Sequence, residues 1–316
     1  MKRYMLILLV LLAVTVTPVG SDGDFALRDP ANDDHGPGTY IYPKNAAFEP
    51  YHGLFDLLFF SVVCLAQTVH FEMTMADLRN TWSAPEGFSH PLIEIYIDRH
   101  NGFGRVTTWQ EGARVKFSRE YPWDALLKVA PWQSSELILA DTGDEFLRSP
   151  LRVTTVAGEK MIRVAVSLEK IGVPQADWRY YVLIGSYDGF AEDNFRPVMA
   201  KPGEWHFGGG RDDVCEPQVI DLLAPGHGKY SQQRQLANYS IGQPSVLMPV
   251  GPGFLPGTGG FPWLLLLLIT VILACVSWYV FTPGERRLKV RERLAVLGVF
   301  RFISPLGRNR SRGTRK

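Results

Sequence analysis

The stretch Thr68-Val69-His70-Phe71-Glu72-Met73-Thr74-Met75 decides how the middle of this chain is read. Val69, Phe71, Met73 and Met75 are apolar, and the residues between them are polar or charged. A period of two puts the first set on one face of an extended strand and the second set on the other. Nearby runs share its richness in aliphatic, β-branched and aromatic residues: FDLLFFSVVC, PLIEIYID, ARVKF, ALLKVA, ELILA, LRVTTV and KMIRVAVSL between Phe55 and Leu168, then RYYVLIGSY and QVIDLL. Gly, Pro, Asn and Asp punctuate them, so each reads as a short strand ended by a turn. About ten such strands without intervening helical periods predict an all-β, antiparallel β-sandwich. One brief helix, around Leu168 to Gly172, is the only interruption expected.

The two ends of the chain have a different composition. Met1 to Ser21 opens with Lys2 and Arg3, continues apolar from Met5 to Val16, and closes on Pro18, Gly20 and Ser21. That pattern predicts a signal peptide over 1–21, cleaved near Gly20 or Ser21 or else retained as a signal anchor. Pro262 to Phe281, PWLLLLLITVILACVSWYVF, is twenty residues without a charge. A helix of that length spans roughly 30 Å, the thickness of a bilayer's hydrocarbon core. Trp263, Trp278 and Tyr279 sit at its ends, where such rings favour the headgroup boundary. From Thr282 to Lys316 eleven Lys or Arg face two acids, whereas Ile241 to Phe261 carries no charge. Basic flanks stay on the cytoplasmic side. The expected organisation is a signal over 1–21, a sandwich over 22–240, a Pro/Gly-rich stalk over 241–261, a transmembrane helix over 262–281 and a basic cytoplasmic tail over 282–316. The corresponding localisation is a single-pass cell-membrane protein with its N-terminus outside.

Charge separates along the same line. The 316 residues sum to +1, yet without Lys2, Arg3 and the tail the remainder holds 20 basic against 30 acidic residues, about −10. Such a body excludes a nucleic-acid partner, while the basic tail suits anionic lipid headgroups. Cys64 and Cys215 are both expected outside, where a disulfide between them would persist. The chain has no Gly-x-Ser-x-Gly and no His-Glu-x-x-His, and its seven His residues lack zinc-ligand spacing. No enzyme class is indicated. Asp29, Asn32, Asp33 and Asp34 crowd into the Gly/Pro-rich loop DPANDDHGPGTYIYP. Carboxylates on such a loop can chelate Ca²⁺, with Asp29, Asp33 and Asp34 as the metal-site candidates. The same side chains can instead cap their own turns.

Seven segments occur in a telling order: DPANDDHGPGTYIYP, FDLLFF, NTWSAPEGFSHPLIEIYID, YPWDALLKVAPW, SYDGFAEDNFRPV, GEWHFGGG and PQVIDLLAP. Together, over Asp29 to Ser240, they resemble the C-terminal glucodextranase-like module, a DOMON-like β-sandwich also found at the end of amylopullulanases. The resemblance implies a non-catalytic module associated with carbohydrate-active enzymes and related to some sugar-binding modules. Sugar recognition needs flat aromatic platforms and a few orienting polar groups. Trp82, Trp109 and Trp123 are expected on loops between strands, and Tyr187, Asp188 and Trp205 complete the ligand-binding candidates. Two other classes stand beside carbohydrate binding: an interaction or scaffold subunit for an exported or membrane protein partner, and a haem-binding redox module using Met73 or Met75 with His70. Because His70 falls on the opposite strand face from the two methionines, core packing is the better reading of that set.

Overall fold

A computed structural model describes residues 23–100, 102–140, 145–156 and 158–256. The expected signal, membrane span and basic tail lie outside the described residues. Among the described residues no helix is long and apolar enough to cross a membrane.

The alternating stretch is a strand, β3 (Thr68–Met75), with Val69, Phe71, Met73 and Met75 buried and the residues between them partly exposed. Nine residues before it form β2 (Leu57–Leu65), and Phe25–Arg28, too short to show a period, forms β1. With β9 (Arg152–Val156) and β10 (Met161–Ser167) they make a five-stranded antiparallel sheet in the order β1-β2-β3-β10-β9. Along β3 and β10 its outer face is largely polar, as in the Arg163–Glu72 ion pair at 2.8 Å. An antiparallel sheet with one face in water shows this alternation. The expected helix follows β10 as Leu168–Ile171, ended by Gly172 at φ 88°, a backbone setting that glycine adopts at no steric cost.

The second sheet is built differently. Its six strands run in the order β12-β11-β4-β6-β7-β8, namely Asp221–Leu222, Arg179–Ser186, Pro91–Asp98, Ala125–Val129, Glu136–Ala140 and Phe146–Pro150. Every residue of β4 and β6 is buried, because both faces of this sheet are covered. Ile93, Ile95, Ile97, Leu127, Val129, Val182 and Ile184 face the first sheet and form the sandwich core with Phe60, Val62, Phe71, Met73, Ile162 and Val164. Leu92, Tyr96, Leu126, Ile138, Tyr181 and Leu183 lie in a second cluster with Phe117, Trp123, Phe195, Val219, Leu236 and Leu247. That outer layer consists of the 3-10 turn Glu111–Ala113, β5 (Val115–Phe117), the short helix Gln232–Leu236 and β13 (Ser245–Leu247).

One expectation is corrected here. The stretch after residue 240 is not a stalk up to its last described residues. β13 pairs in parallel with β5, Leu247 and Val250 are fully buried, and Val250 exchanges backbone hydrogen bonds with Tyr180 at 2.7 and 2.9 Å. Its prolines and glycines let the chain bend across the sheet, and its few apolar residues fill the outer layer. Cys64 and Cys215 are both free thiols, so the disulfide that the sequence left open is not formed. Cys64 is the penultimate residue of β2 on the five-stranded sheet, and Cys215 is buried in the loop before β12.

The covered outer face hides one carboxyl. Glu94 accepts a hydrogen bond from the Tyr96 hydroxyl at 2.7 Å, and its charge lies near Lys128, whose amine donates to Asn194 at 2.9 Å. Burial pushes Glu94 up from 4.5 to about 7. The folded state therefore keeps a proton that the unfolded chain releases, and stability is lost as pH rises from 4.5 through 7. This is worth roughly 3 kcal/mol once both states are ionised. Thermal unfolding of the parent and Glu94→Gln from pH 4 to 8 checks this. The melting-temperature difference should grow in favour of the glutamine variant up to pH 7 and then stay level.

Candidate functional site

Antiparallel pairing sets Ser186 beside Pro91 and Ile93 beside Val129. The end of β11, the start of β4 and the end of β6 thus meet at one end of the six-stranded sheet. The loops that leave there bring Trp82, Trp132, Tyr187 and Trp205 together around a cleft of about 610 Å³. Asp188, Gly189, Phe190 and Arg196 complete its lining.

One wall is a pair of indoles. The Trp82 and Trp205 rings lie 6.5 Å apart, and Phe48 packs behind both, 5.8 and 6.3 Å away. His90 supports Trp82 from beneath at 4.7 Å. Burial holds His90 below its usual range, so it is neutral near pH 7, with Nε2 at 3.0 Å from the Ala47 carbonyl. On the other wall Trp132 and Tyr187 tilt together at 5.4 Å. Trp132 is 39% exposed, Trp205 49% and Phe190 102%, so these apolar rings face solvent. Large exposed aromatics grouped in a concavity mark a binding surface.

The polar floor is Arg196. Its guanidinium donates to the Trp205 carbonyl at 2.8 Å, to the Tyr187 carbonyl at 2.9 Å and to the Ser186 hydroxyl at 3.2 Å. It also pairs with Asp188 at 3.3 Å and stacks over Phe48 at 5.2 Å. Burial lowers the Arg196 pKa and the Asp188 charge opposes that shift; an arginine so placed stays charged. One side chain therefore ties both walls to one point. A second tie holds Trp132. Trp132 and Gln133 have φ of 56° and 57°, a left-handed setting that costs non-glycine residues about 1–2 kcal/mol each. The Glu86 carboxylate accepts both of their backbone N–H groups, at 2.9 and 2.7 Å.

Four of the six ligand-site candidates, Trp82, Tyr187, Asp188 and Trp205, thus line one cleft. Trp109 and Trp123 do not. Trp123 is a core residue whose indole N–H donates to the Thr107 carbonyl at 2.7 Å, and Trp109 packs edge-on against Phe146 at 4.4 Å. Both belong to the cover over the outer sheet face. Trp132, Phe190 and Arg196 are not among the sequence candidates, although Trp132 ends the quoted YPWDALLKVAPW segment and Phe190 and Arg196 lie in SYDGFAEDNFRPV. The glycine triplet Gly208–Gly210 is a packing device: at Gly209, φ 82°, a Cβ would meet the Thr39 carbonyl oxygen at 1.9 Å. Met73 and Met75 are buried in the sandwich core, across their strand from His70.

The metal-site candidates regroup as well. Asp29 and Asp33 meet Asp221 rather than Asp34, with one carboxylate oxygen from each residue within 4.8 Å of the others. Asp34 turns away to accept the Tyr42 hydroxyl. Asp56 lies beside the three, and its charge acts on each of them. Burial, followed by the neighbouring carboxylates, raises Asp29 and Asp221 well above the usual range and Asp33 to about 7. Asp56 is raised chiefly by burial.

The family described as the C-terminal, SLH-like binding module of glucodextranase matches residues 25–250. The chain belongs to this family. Among curated proteins no match is found. The match runs from β1 to the Val250 bridge, so the family's module and the folded body coincide, the outer layer included. It is a family of binding modules, not of catalytic domains.

Glu86 gives the binding-module cleft a measurable property. Hydrogen bonds to a charged acceptor are worth roughly 1.5–3 kcal/mol. In Glu86→Ala, amide exchange at Trp132 and Gln133 should speed up by about tenfold or more, while β4 and β11 amides keep their protection. Hydrogen-exchange mass spectrometry reads both at once.

Proposed function

We propose that this glucodextranase-type module is a non-enzymatic carbohydrate-binding protein whose ligand, of α-glucan type, lies in the Trp82–Trp132–Tyr187–Trp205 cleft. The observation that carries the reading is two aromatic pairs, Trp82–Trp205 and Trp132–Tyr187, lining one cleft together with the Arg196–Asp188 ion pair. Sugar rings present apolar C–H faces that suit indole planes, and hydroxyls that suit fixed donors and acceptors. Asp188 offers carboxylate oxygens, and Arg196 fixes its direction. The family's character as a binding module, drawn from an enzyme that carries its catalysis elsewhere, supports the same reading.

The probes are soluble dextran and pullulan in affinity electrophoresis of the full-length chain in mild detergent. Trp82→Ala and Trp205→Ala should each weaken retention by about 10- to 100-fold, the usual worth of a central aromatic anchor. Trp109→Ala, outside the cleft, should retain the parent's mobility. A parent protein that neither glucan retards defeats the proposal, and co-purification of a protein seated on the same rings would assign the cleft to a partner instead.

We further propose that the module stands outside the cell on the Pro262–Phe281 span, with the basic tail inside. The support is the charge partition of the sequence. Protease added to intact cells should digest the module and spare an epitope at Lys316; the reverse pattern rejects this orientation.

A further inference from the structure

A sandwich has open edges, and here one edge from each sheet is brought together by carboxylates. Asp29 directly follows β1, the edge of the five-stranded sheet, and Asp221 begins β12, the edge of the six-stranded one. Backbone hydrogen bonds to these acids cross between the sheets. The Ala224 N–H donates to Asp29 Oδ1 at 3.1 Å, and the Leu57 N–H donates to Asp221 Oδ2 at 2.7 Å. Asp56 accepts the Asn32 N–H at 2.9 Å and thereby holds the loop that carries Asp33.

These bonds leave acceptors over. Asp29 Oδ2, Asp33 Oδ1 and Asp56 Oδ1 are buried and receive no hydrogen bond. Asp29 is only 7% exposed, Asp56 1% and Asp221 0%. Buried carboxylate oxygens without a donor are costly, and several together repel one another. The charges acting on them are one another's, that of Asp34 and, on Asp56, that of His35. Asp29 and Asp221 approach closely enough to share a proton, but one proton leaves the other unpaired oxygens as they are.

A cation held between Asp29, Asp33 and Asp221 would give unpaired oxygens there a partner and offset the repulsion from Asp56. We propose that Asp29, Asp33 and Asp221 hold one Ca²⁺ ion that clasps the β1 edge of one sheet to β12 of the other, with Asp56 beside them holding the Asp33 loop in place. The donors are all oxygen, which selects a hard ion over zinc or copper. Oxygens within 4.8 Å of one another fit around an ion bound at about 2.4 Å. Mg²⁺ requires a near-ideal octahedron and keeps several waters, which suits a set of buried carboxylates less well. The inference is independent of the carbohydrate reading, because none of these four acids lines the aromatic cleft.

The test uses the full-length chain in mild detergent, stripped with EGTA and dialysed. Titration with Ca²⁺ should load one ion per chain by elemental analysis and raise the melting temperature by about 5–10 °C at a hundredfold excess over Kd. Mg²⁺ at equal concentration should give a smaller rise. Asp221→Asn and Asp33→Asn should each weaken Ca²⁺ binding at least about tenfold, since site charge sets affinity. Melting in EGTA should be no lower for these variants than for the parent, because each substitution relieves repulsion. If Asp221→Asn fails to fold, Asp33→Asn, on the loop, decides alone. A parent whose melting ignores both EGTA and Ca²⁺, or a Ca²⁺ response that survives Asp29→Asn combined with Asp33→Asn, overturns the site. An equal response to Mg²⁺ overturns the choice of ion. Glucan retention is read separately, so loss of one property leaves the other measurable.

Discussion

The constraint on which this structure depends is a sheet that is apolar on both faces. β4 and β6 have no residue that faces water, so the five-stranded sheet can cover only one side of them. The other side needs a second cover, and the chain supplies it from loops, the two-stranded parallel pair β5–β13 and a five-residue helix. Aromatic residues make this practical. Trp123, Phe117, Tyr181 and Phe195 each bury a large area per residue and need little regular backbone to do it.

That solution also places the chemistry. Loops drawn over a sheet must leave and rejoin it at strand ends, and a cluster of loop residues at a strand end is where binding groups gather on a rigid scaffold. The cleft lies where β4, β6 and β11 meet their loops. Its Trp82–Trp205 wall continues the packing of the sandwich core outward, through Phe48 and His90, until the rings emerge into solvent. Arg196 is then a structural residue and a site residue at once. Its three hydrogen bonds to neighbouring backbone and hydroxyl groups and its pairing with Asp188 make a buried charge tolerable. The same rule, that a buried charge must find a partner, connects Arg196 to the four aspartates at the sandwich edge. There the protein's own groups do not complete the set.

Legibility followed the physics of exposure. β3 and β10 alternate because one face meets water, and their period was readable directly. β4 and β11 were readable as apolar runs, although a run does not say that both faces are covered. β1, β8 and β13 were not readable, because FALR, FLRSP and SVL are short and lack the aliphatic or β-branched runs that marked strands as short as β6 and β7. The segment from 241 onward looked like a stalk because Pro and Gly dominate it, and only its contacts with β5 and Tyr180 make it part of the body. Among the aromatics, residue type could not separate Trp123, which fills a core, from Trp132, which faces a cleft. That difference is a matter of which side of a loop the ring leaves.

What the sequence by itself determined was the class of structure and the kinship: strands of period two, acids crowded on one early loop, and motif order along the chain. These are local properties, carried by residues near one another in the chain. Which residues share a site was decided only by the tertiary structure. Asp221 lies 188 residues after Asp33, and Trp205 lies 123 after Trp82, and nothing local links either pair. Strand pairing and the two-sided burial of one sheet bring them together. Asp34, though adjacent to Asp33, is sent elsewhere by its hydrogen bond with Tyr42.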